Sequence, residues 1–257
     1  MSEPKKRPEE RFSNRAGYYV RSRPGYPDGV VTILREECGL AADGFIADVG
    51  SGTGLLARLL LAHGFAVHAV EPNEPMRLAA VAELGAMPGF VSIPAKAEAT
   101  TLPDQSVDLI TVAQAIHWFE PEATRREFAR ILKPEGWLAI VNNQRDSTVP
   151  VLGETHAILA DYREQRQEGV DHWEWSDELA ARYFGPGGWR ERTCANQQVL
   201  DREGFLGRWL SQSVMPAPGA AGHDEMVARL GKVFEQHQTD GTVTLPYETR
   251  VWAGHVR

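Results

Sequence analysis

Cysteine is nearly missing from this 257-residue sequence: Cys38 and Cys194 are the only two, far apart and outside any metal-ligand spacing. No disulfide framework and no metal centre is expected, and a reduced, cytoplasmic setting is the default. No apolar run reaches the roughly 20 residues that a bilayer-spanning helix needs. The first ten residues, Met1 to Glu10, are polar and of mixed charge, unlike a signal peptide, so no membrane partner is expected. A basic surplus is missing too. Lys and Arg number 27 against 35 Asp and Glu, a formal net charge of −8, which disfavours nucleic acid, whose binding needs a basic surface to displace counterions. Small carboxylates stay open, since a few local basic residues suffice for them. Repeats and low-complexity segments are also absent. What is present is an apolar content near the globular norm, over a length sufficient for one filled core and an accessory lobe.

The most informative stretch is Phe45 to Gly54, where the apolar run Phe45-Ile46-Ala47-Asp48-Val49 leads into Gly50-Ser51-Gly52-Thr53-Gly54 and then into the helical pattern Leu55 to Leu61. Alternating glycines permit a sharp turn and a close ligand approach at the carboxyl end of a buried strand. A dinucleotide turn needs G-x-G-x-x-G, but Leu55 stands where its last glycine belongs. Asp48 at the strand end would repel a pyrophosphate and attract an ammonium. The next apolar run, Ala66 to Val70, ends in Glu71, near the spacing at which a carboxylate accepts hydrogen bonds from a ribose diol. Asp48 and Glu71 therefore bracket one nucleoside carrying a cationic group.

Strands are expected near 45–50, 66–71, 90–94, 107–113 and 137–142, with helices near 54–63, 73–84 and 122–132, which describes an α/β doubly wound sheet. Asp28 reads as the N-cap of an amphipathic helix containing Val30, Val31, Ile33 and Leu34. Further helices are expected at Glu154–Arg166, Asp177–Phe184, Arg202–Gln212 and Asp224–Gln238. The chain rejoins the sheet through Trp189–Leu200, and Val243–Ala253 is the last strand, with Thr242 to Val251 suited to an antiparallel hairpin at the sheet edge. One domain over 1–257 is expected: an arm at 1–27, a cofactor-binding core at 45–142, a helical cap at 150–188 and a completion of the sheet at 189–257.

The run Asp48 to Gly54 resembles the glycine motif of the class I S-adenosylmethionine-dependent methyltransferases. In the same order follow Glu71-Pro72-Asn73, Ala97-Glu98 with Leu102-Pro103, Val107 to Ile110, Gln114 to Phe119 and Leu132 to Leu138. The resemblance implies a Rossmann-like seven-stranded sheet, mostly parallel with an antiparallel edge strand, and S-adenosylmethionine as methyl donor, S-adenosylhomocysteine being the product. It implies a cofactor site in which Gly50, Ser51, Gly52 and Gly54 form the turn, Asp48 meets the amino group and Glu71, followed by Pro72, takes the ribose diol. Met76 flanks the adenine or is plain core, Ala97 and Glu98 face the adenine edge, and Gln114 and Trp118 lie where donor and acceptor meet. His117 is a general base or only a hydrogen-bonding neighbour.

Phe12 to Pro27, Asn196 to Asp201 and Leu210 to Ser213 resemble a subgroup of small-molecule methyltransferases that includes trans-aconitate methyltransferase-like proteins. That resemblance implies a lid in which Tyr19 and Arg23 close over the cofactor, Arg23 on its carboxylate; otherwise they belong to a solvated arm. His172, Trp173 and Trp175 line the acceptor pocket or join the cap helices. The expected reaction is methyl transfer to an oxygen of a small molecule, with nitrogen or carbon as the lesser alternatives; the subgroup resemblance suggests a carboxylate. The alternatives are a non-catalytic protein that binds the cofactor and a nicotinamide-dependent dehydrogenase, the latter disfavoured by Leu55. The sequence leaves the oligomeric state open.

Overall fold

The structure, a computed structural model, describes residues 23–164, 176–210, 215–216 and 218–256. Strand β1 (Phe45–Val49) pairs in parallel with β2 (Ala66–Val70) on one side and β4 (Val107–Ala113) on the other; β2 carries β3 (Phe90–Ile93) and β4 carries β5 (Leu132–Gln144). Strands β6 (Trp189–Leu200) and β7 (Val243–Gly254) complete a seven-stranded sheet of order β3-β2-β1-β4-β5-β7-β6. The fold class is the expected one. The reversed strand is β7, which lies one place in from the edge and is antiparallel to both β5 and β6.

Successive side chains of a strand point to opposite faces, and both faces are covered. Helices α1 (Gly29–Cys38) and α2 (Leu55–Ala62) press Val30, Leu34, Leu56 and Leu60 onto Ile46, Val67, Leu109 and Val251. The next helix, α3 (Glu74–Leu84), contributes Leu84 to this layer. On the opposite face α4 (Pro121–Ile131) brings Phe128 and Ile131 against Val49, Ile110, Val112 and Trp252. A third apolar cluster lies apart from both. Helix α5 (Pro150–Glu164) gives it Leu152, Leu159 and Tyr162, whereas α6 (Asp177–Tyr183) places Ala180 and Tyr183 in the core beneath α4. Helices α7 (Arg202–Leu210) and α8 (His223–His237) add Phe205, Trp209, Leu230 and Phe234, and β7 adds Val243, Leu245 and Tyr247.

Two local expectations are corrected. Asp28 precedes α1, but it adopts helical dihedrals and its carboxylate caps no helix amide. It reaches His63 Nε2 at the end of α2 instead, at 3.0 Å, so a helix-start residue ties two helices of one layer together. The expected hairpin at the sheet edge is not a direct one, because α7 and α8 lie between β6 and β7 in the chain. Strand β5 also begins earlier than its apolar run suggests, because Leu132 pairs with Val107 across a register shift. Among the described residues no helix is long and apolar enough to cross a membrane.

Candidate active site

Chain direction along the sheet reverses between β1 and β4: from β1 it proceeds to β2 and β3, from β4 to β5. The carboxyl ends of two such neighbours diverge and leave a crevice, the usual ligand position in an open α/β sheet. The glycine turn follows β1 and the segment Gln114 to Phe119 follows β4, so these two expected site segments form the two walls.

Each glycine of the turn has its own reason. All three have positive φ, 70° at Gly50, 56° at Gly52 and 81° at Gly54. A Cβ on Gly50 would stand 2.7 Å from Ala115 Cβ and 2.9 Å from Phe119 Cζ, and one on Gly54 would stand 2.5 Å from Leu84 Cδ1. Those two glycines let the turn approach its neighbours. A Cβ on Gly52 would meet no atom of the described residues within 4 Å, so the space beside it is open.

The carboxylates take distinct environments. Glu71 accepts from Gly52 N at 2.9 Å and from Asn73 N at 2.7 Å. Burial raises its pKa, while those amides and the Arg77 charge pull it back. Asn73 caps α3 by accepting from Met76 N, which places the buried Met76 in the first turn behind Glu71 and Pro72. Asp48 is 1% exposed, and its Oδ1 accepts from Thr111 Oγ1 at 2.8 Å. Burial pushes its carboxyl up to about 7, with the Thr111 hydroxyl opposing the rise and the Glu71 charge adding to it.

This has a consequence for stability. Between the ordinary carboxylate pKa, about 3.9, and about 7, folded Asp48 retains a proton that the unfolded chain has lost, so stability falls as pH rises through that window. Asp48→Asn keeps an acceptor for Thr111 and cannot ionise. We expect the ligand-free variant to melt several degrees above the parent at pH 8, the difference closing by pH 4; thermal denaturation of both proteins at the two pH values is the check. Equal melting at pH 8 would overturn this reading of Asp48.

Ala97 is buried, and Glu98 accepts from Glu120 N at 3.0 Å, so the loop after β3 is tied to the start of α4. A second tie was not read from the sequence: Thr100 N and Oγ1 both donate to Glu127 Oε1, and Arg130 Nε donates to Glu127 Oε2. The i,i+3 spacing of Glu127 and Arg130 is a signal that could have suggested their ion pair, but nothing local signals the grip on Thr100. Thr111, the partner of Asp48, likewise lacks any local signal.

Opposite the glycine turn, Gln114 has φ 56°, unusual for a residue with a side chain. Its N–H donates to Val141 O and its Nε2 to Asn143 O. Backbone held in a sparsely populated region is typical of functional sites. His117 and Trp118 lie on the 3-10 turn Ile116–Trp118, their ring centroids 4.7 Å apart. Trp118 is 36% exposed. Burial lowers the His117 pKa to about 4. Arg23 is among the described residues; Tyr19, His172, Trp173 and Trp175 lie outside them.

The crevice suits a nucleoside with a charged amino-acid end. Gly52 leaves a cradle that a Cβ would fill. Ser51 Oγ and Thr53 Oγ1 are buried and have no hydrogen-bond partner among the described residues, a condition that a polar ligand relieves. No grouping of three or more His, Cys, Asp or Glu side chains fit to hold a metal ion occurs among them.

Comparison with known proteins agrees. Residues 47–140 match the family model described as a methyltransferase domain. A methyltransferase-like protein of Schizosaccharomyces pombe is 33% identical over 185 residues, which make up 72% of this chain and 69% of that protein. A methyltransferase of Mycobacterium tuberculosis is 37% identical over 148 residues, 58% of each chain. Among solved structures, a type II methyltransferase from Anaeromyxobacter dehalogenans aligns with a TM-score of 0.62 at 25% identity, covering 91% of this chain and 98% of the other. With the expected sheet, the glycine cradle and the strand-end carboxylates in place, the chain belongs to the class I S-adenosylmethionine-dependent methyltransferases.

Proposed function

We propose that the protein methylates an oxygen of a small anionic acceptor, a carboxylate being the group that fits best. The observation that carries this reading is the placement of Arg145. It follows β5 directly, two residues beyond the Asn143 carbonyl that Gln114 contacts, and its guanidinium lies 5.3 Å from the centre of the Trp209 ring. Arg208, itself 4% exposed, lies 5.4 Å from the same ring. Positive charge therefore extends from the reaction end of the crevice into the third apolar cluster, as a small carboxylate requires.

His117 supports the same choice. With a pKa of about 4, its imidazole is neutral at physiological pH and a weak proton acceptor. A carboxylate needs no base. S-adenosylmethionine held in this crevice would supply an electrophilic methyl group on a sulfonium, a leaving group already activated by its charge. The residues of this chain then have to orient and enclose. Glu71 and the Gly52 cradle fix the nucleoside, Asp48 favours the ammonium, Arg23 pairs with the cofactor carboxylate, Ala97 and Glu98 border the adenine, and Trp118 walls the crevice. Holding the reacting atoms in line and excluding water supplies the acceleration.

The test is incubation with methyl-labelled S-adenosylmethionine and fractionated small-metabolite extract, followed by mass spectrometry. A labelled, base-labile methyl ester is the expected product. Label on nitrogen or carbon overturns the acceptor assignment, and retained cofactor binding with no transferred label favours a non-catalytic binding protein. With the acceptor in hand, His117→Gln is expected to retain kcat within about tenfold, short of the roughly hundredfold that a general base contributes at the least. The kcat profile between pH 6 and 8 should show no inflection that disappears in this variant. A thousandfold loss would make His117 the base.

A further inference from the structure

The glycine turn and Glu71 account for one end of the cofactor site, but a polar network at the other end serves neither sheet pairing nor core. Asn143 near the end of β5 and Asn196 in β6 are not on adjacent strands, because β7 runs between them. Their side chains nonetheless converge on the carbonyl of Gly25, Asn143 Nδ2 donating at 3.1 Å and Asn196 Nδ2 at 2.9 Å. Asn196 Nδ2 also donates to Asn143 Oδ1 at 3.1 Å, and Thr249 Oγ1, fully buried on β7, donates to the same oxygen. These contacts settle the orientation of the Asn143 amide: its oxygen faces two donors and its nitrogen faces a carbonyl. The backbone carbonyl of Asn143 meanwhile accepts from Gln114 Nε2 at 3.2 Å.

We infer that Asn143 and Asn196 are positioning residues, a two-amide latch that sets the Arg23-Pro24-Gly25 segment in register with Gln114 and so fixes the amino-acid end of the cofactor relative to the methyl-transfer end. The inference rests on the proposal that Arg23 meets the cofactor carboxylate. One residue, Asn143, holds both parts: its side chain grips the Gly25 carbonyl and its backbone holds the side chain of Gln114. A latch onto a backbone carbonyl works whatever residue stands at position 25, so no pattern within the Gly25 turn reveals it. The side chains belong to strands whose ladders are complete without them.

Asn143→Asp tests this at nearly constant shape. The carboxylate still accepts from Thr249 and Asn196, but an oxygen replaces the donor facing Gly25 and turns attraction into repulsion. Asn196→Ala removes the second bond from the outer strand and serves if the first variant does not fold. Calorimetry with two probes separates positioning from general support: S-adenosylhomocysteine, and 5′-methylthioadenosine, which lacks the amino-acid end. The expected result is at least a tenfold loss of affinity for S-adenosylhomocysteine with less than a threefold change for methylthioadenosine in Asn143→Asp, and the same pattern at smaller size in Asn196→Ala. Parallel losses for both probes, or unchanged affinity for both, overturn the latch. Wild-type protein that binds neither probe would overturn the cofactor site itself, and the latch with it.

Discussion

Gly52→Val is expected to weaken S-adenosylhomocysteine binding by about a hundredfold or more while leaving a folded protein, because the added side chain occupies ligand space rather than protein space. Among the described residues no atom lies within 4 Å of the position its Cβ would take. The cost to the fold is confined to a β-branched residue held at φ 56°, about 1–3 kcal/mol. Gly50→Ala is the informative contrast. Its Cβ would collide with Ala115 and Phe119, so it should lower the melting temperature as well as the affinity. Calorimetric titration together with thermal denaturation of both variants distinguishes a cradle from a packing contact. Affinity within threefold of the parent in Gly52→Val would show that the cofactor lies elsewhere.

The second large effect is expected at Glu71. Its two oxygens accept from Gly52 N and Asn73 N, so Glu71→Ala leaves those two amides without their partner and removes the proposed ribose acceptor. Each unsatisfied amide costs about 1–3 kcal/mol where water cannot replace the lost acceptor. Together these predict about a hundredfold loss for S-adenosylhomocysteine. The contribution of the ribose contact can be isolated with a 2′-deoxy analogue of the same ligand. The parent should discriminate between the two ligands and Glu71→Ala should not, a double-mutant logic in which coupling appears only between groups that touch. Undiminished discrimination in the variant would mean that Glu71 supports the loop without touching the ribose.

The sequence disclosed what is local. The glycine turn, the strand-end acids and the alternation of strands with helices were legible because each depends on residues within one turn or one strand of another. The cap that Asn73 makes on α3 was not read, although it too is local, the side chain accepting from Met76 N three residues on. Asp28 misled: its composition suits a cap, but His63, 35 residues along the chain, offered a better partner than the adjacent amides. The latch was invisible, since Asn143 and Asn196 lie 118 and 171 residues from Gly25 and only the closed sheet brings them together. The early start of β5 depends on a register shift against β4, which no periodicity within β5 encodes. Residue chemistry indicated the cofactor, but the third apolar cluster is assembled from α5, α7, α8 and β7, and no single stretch of chain carries its pattern.

That last feature limits how the proposed acceptor side can be rebuilt. Strand β7 is threaded through separate interiors: Val251, Trp252 and Ala253 belong to the two layers flanking the sheet, and Val243, Leu245 and Tyr247 to the third cluster. A cassette spanning 150–188, grafted from a relative to alter acceptor choice, would bring a new α5 against an old α7, α8 and β7 and leave mismatched apolar surfaces on both sides of the seam. The unit of exchange is instead discontinuous, α5 together with the whole stretch from Leu200 to Tyr247. If the acceptor lies against this cluster, as proposed, its selection goes with α5 and the Leu200 to Tyr247 stretch together rather than with residues 150–188 alone.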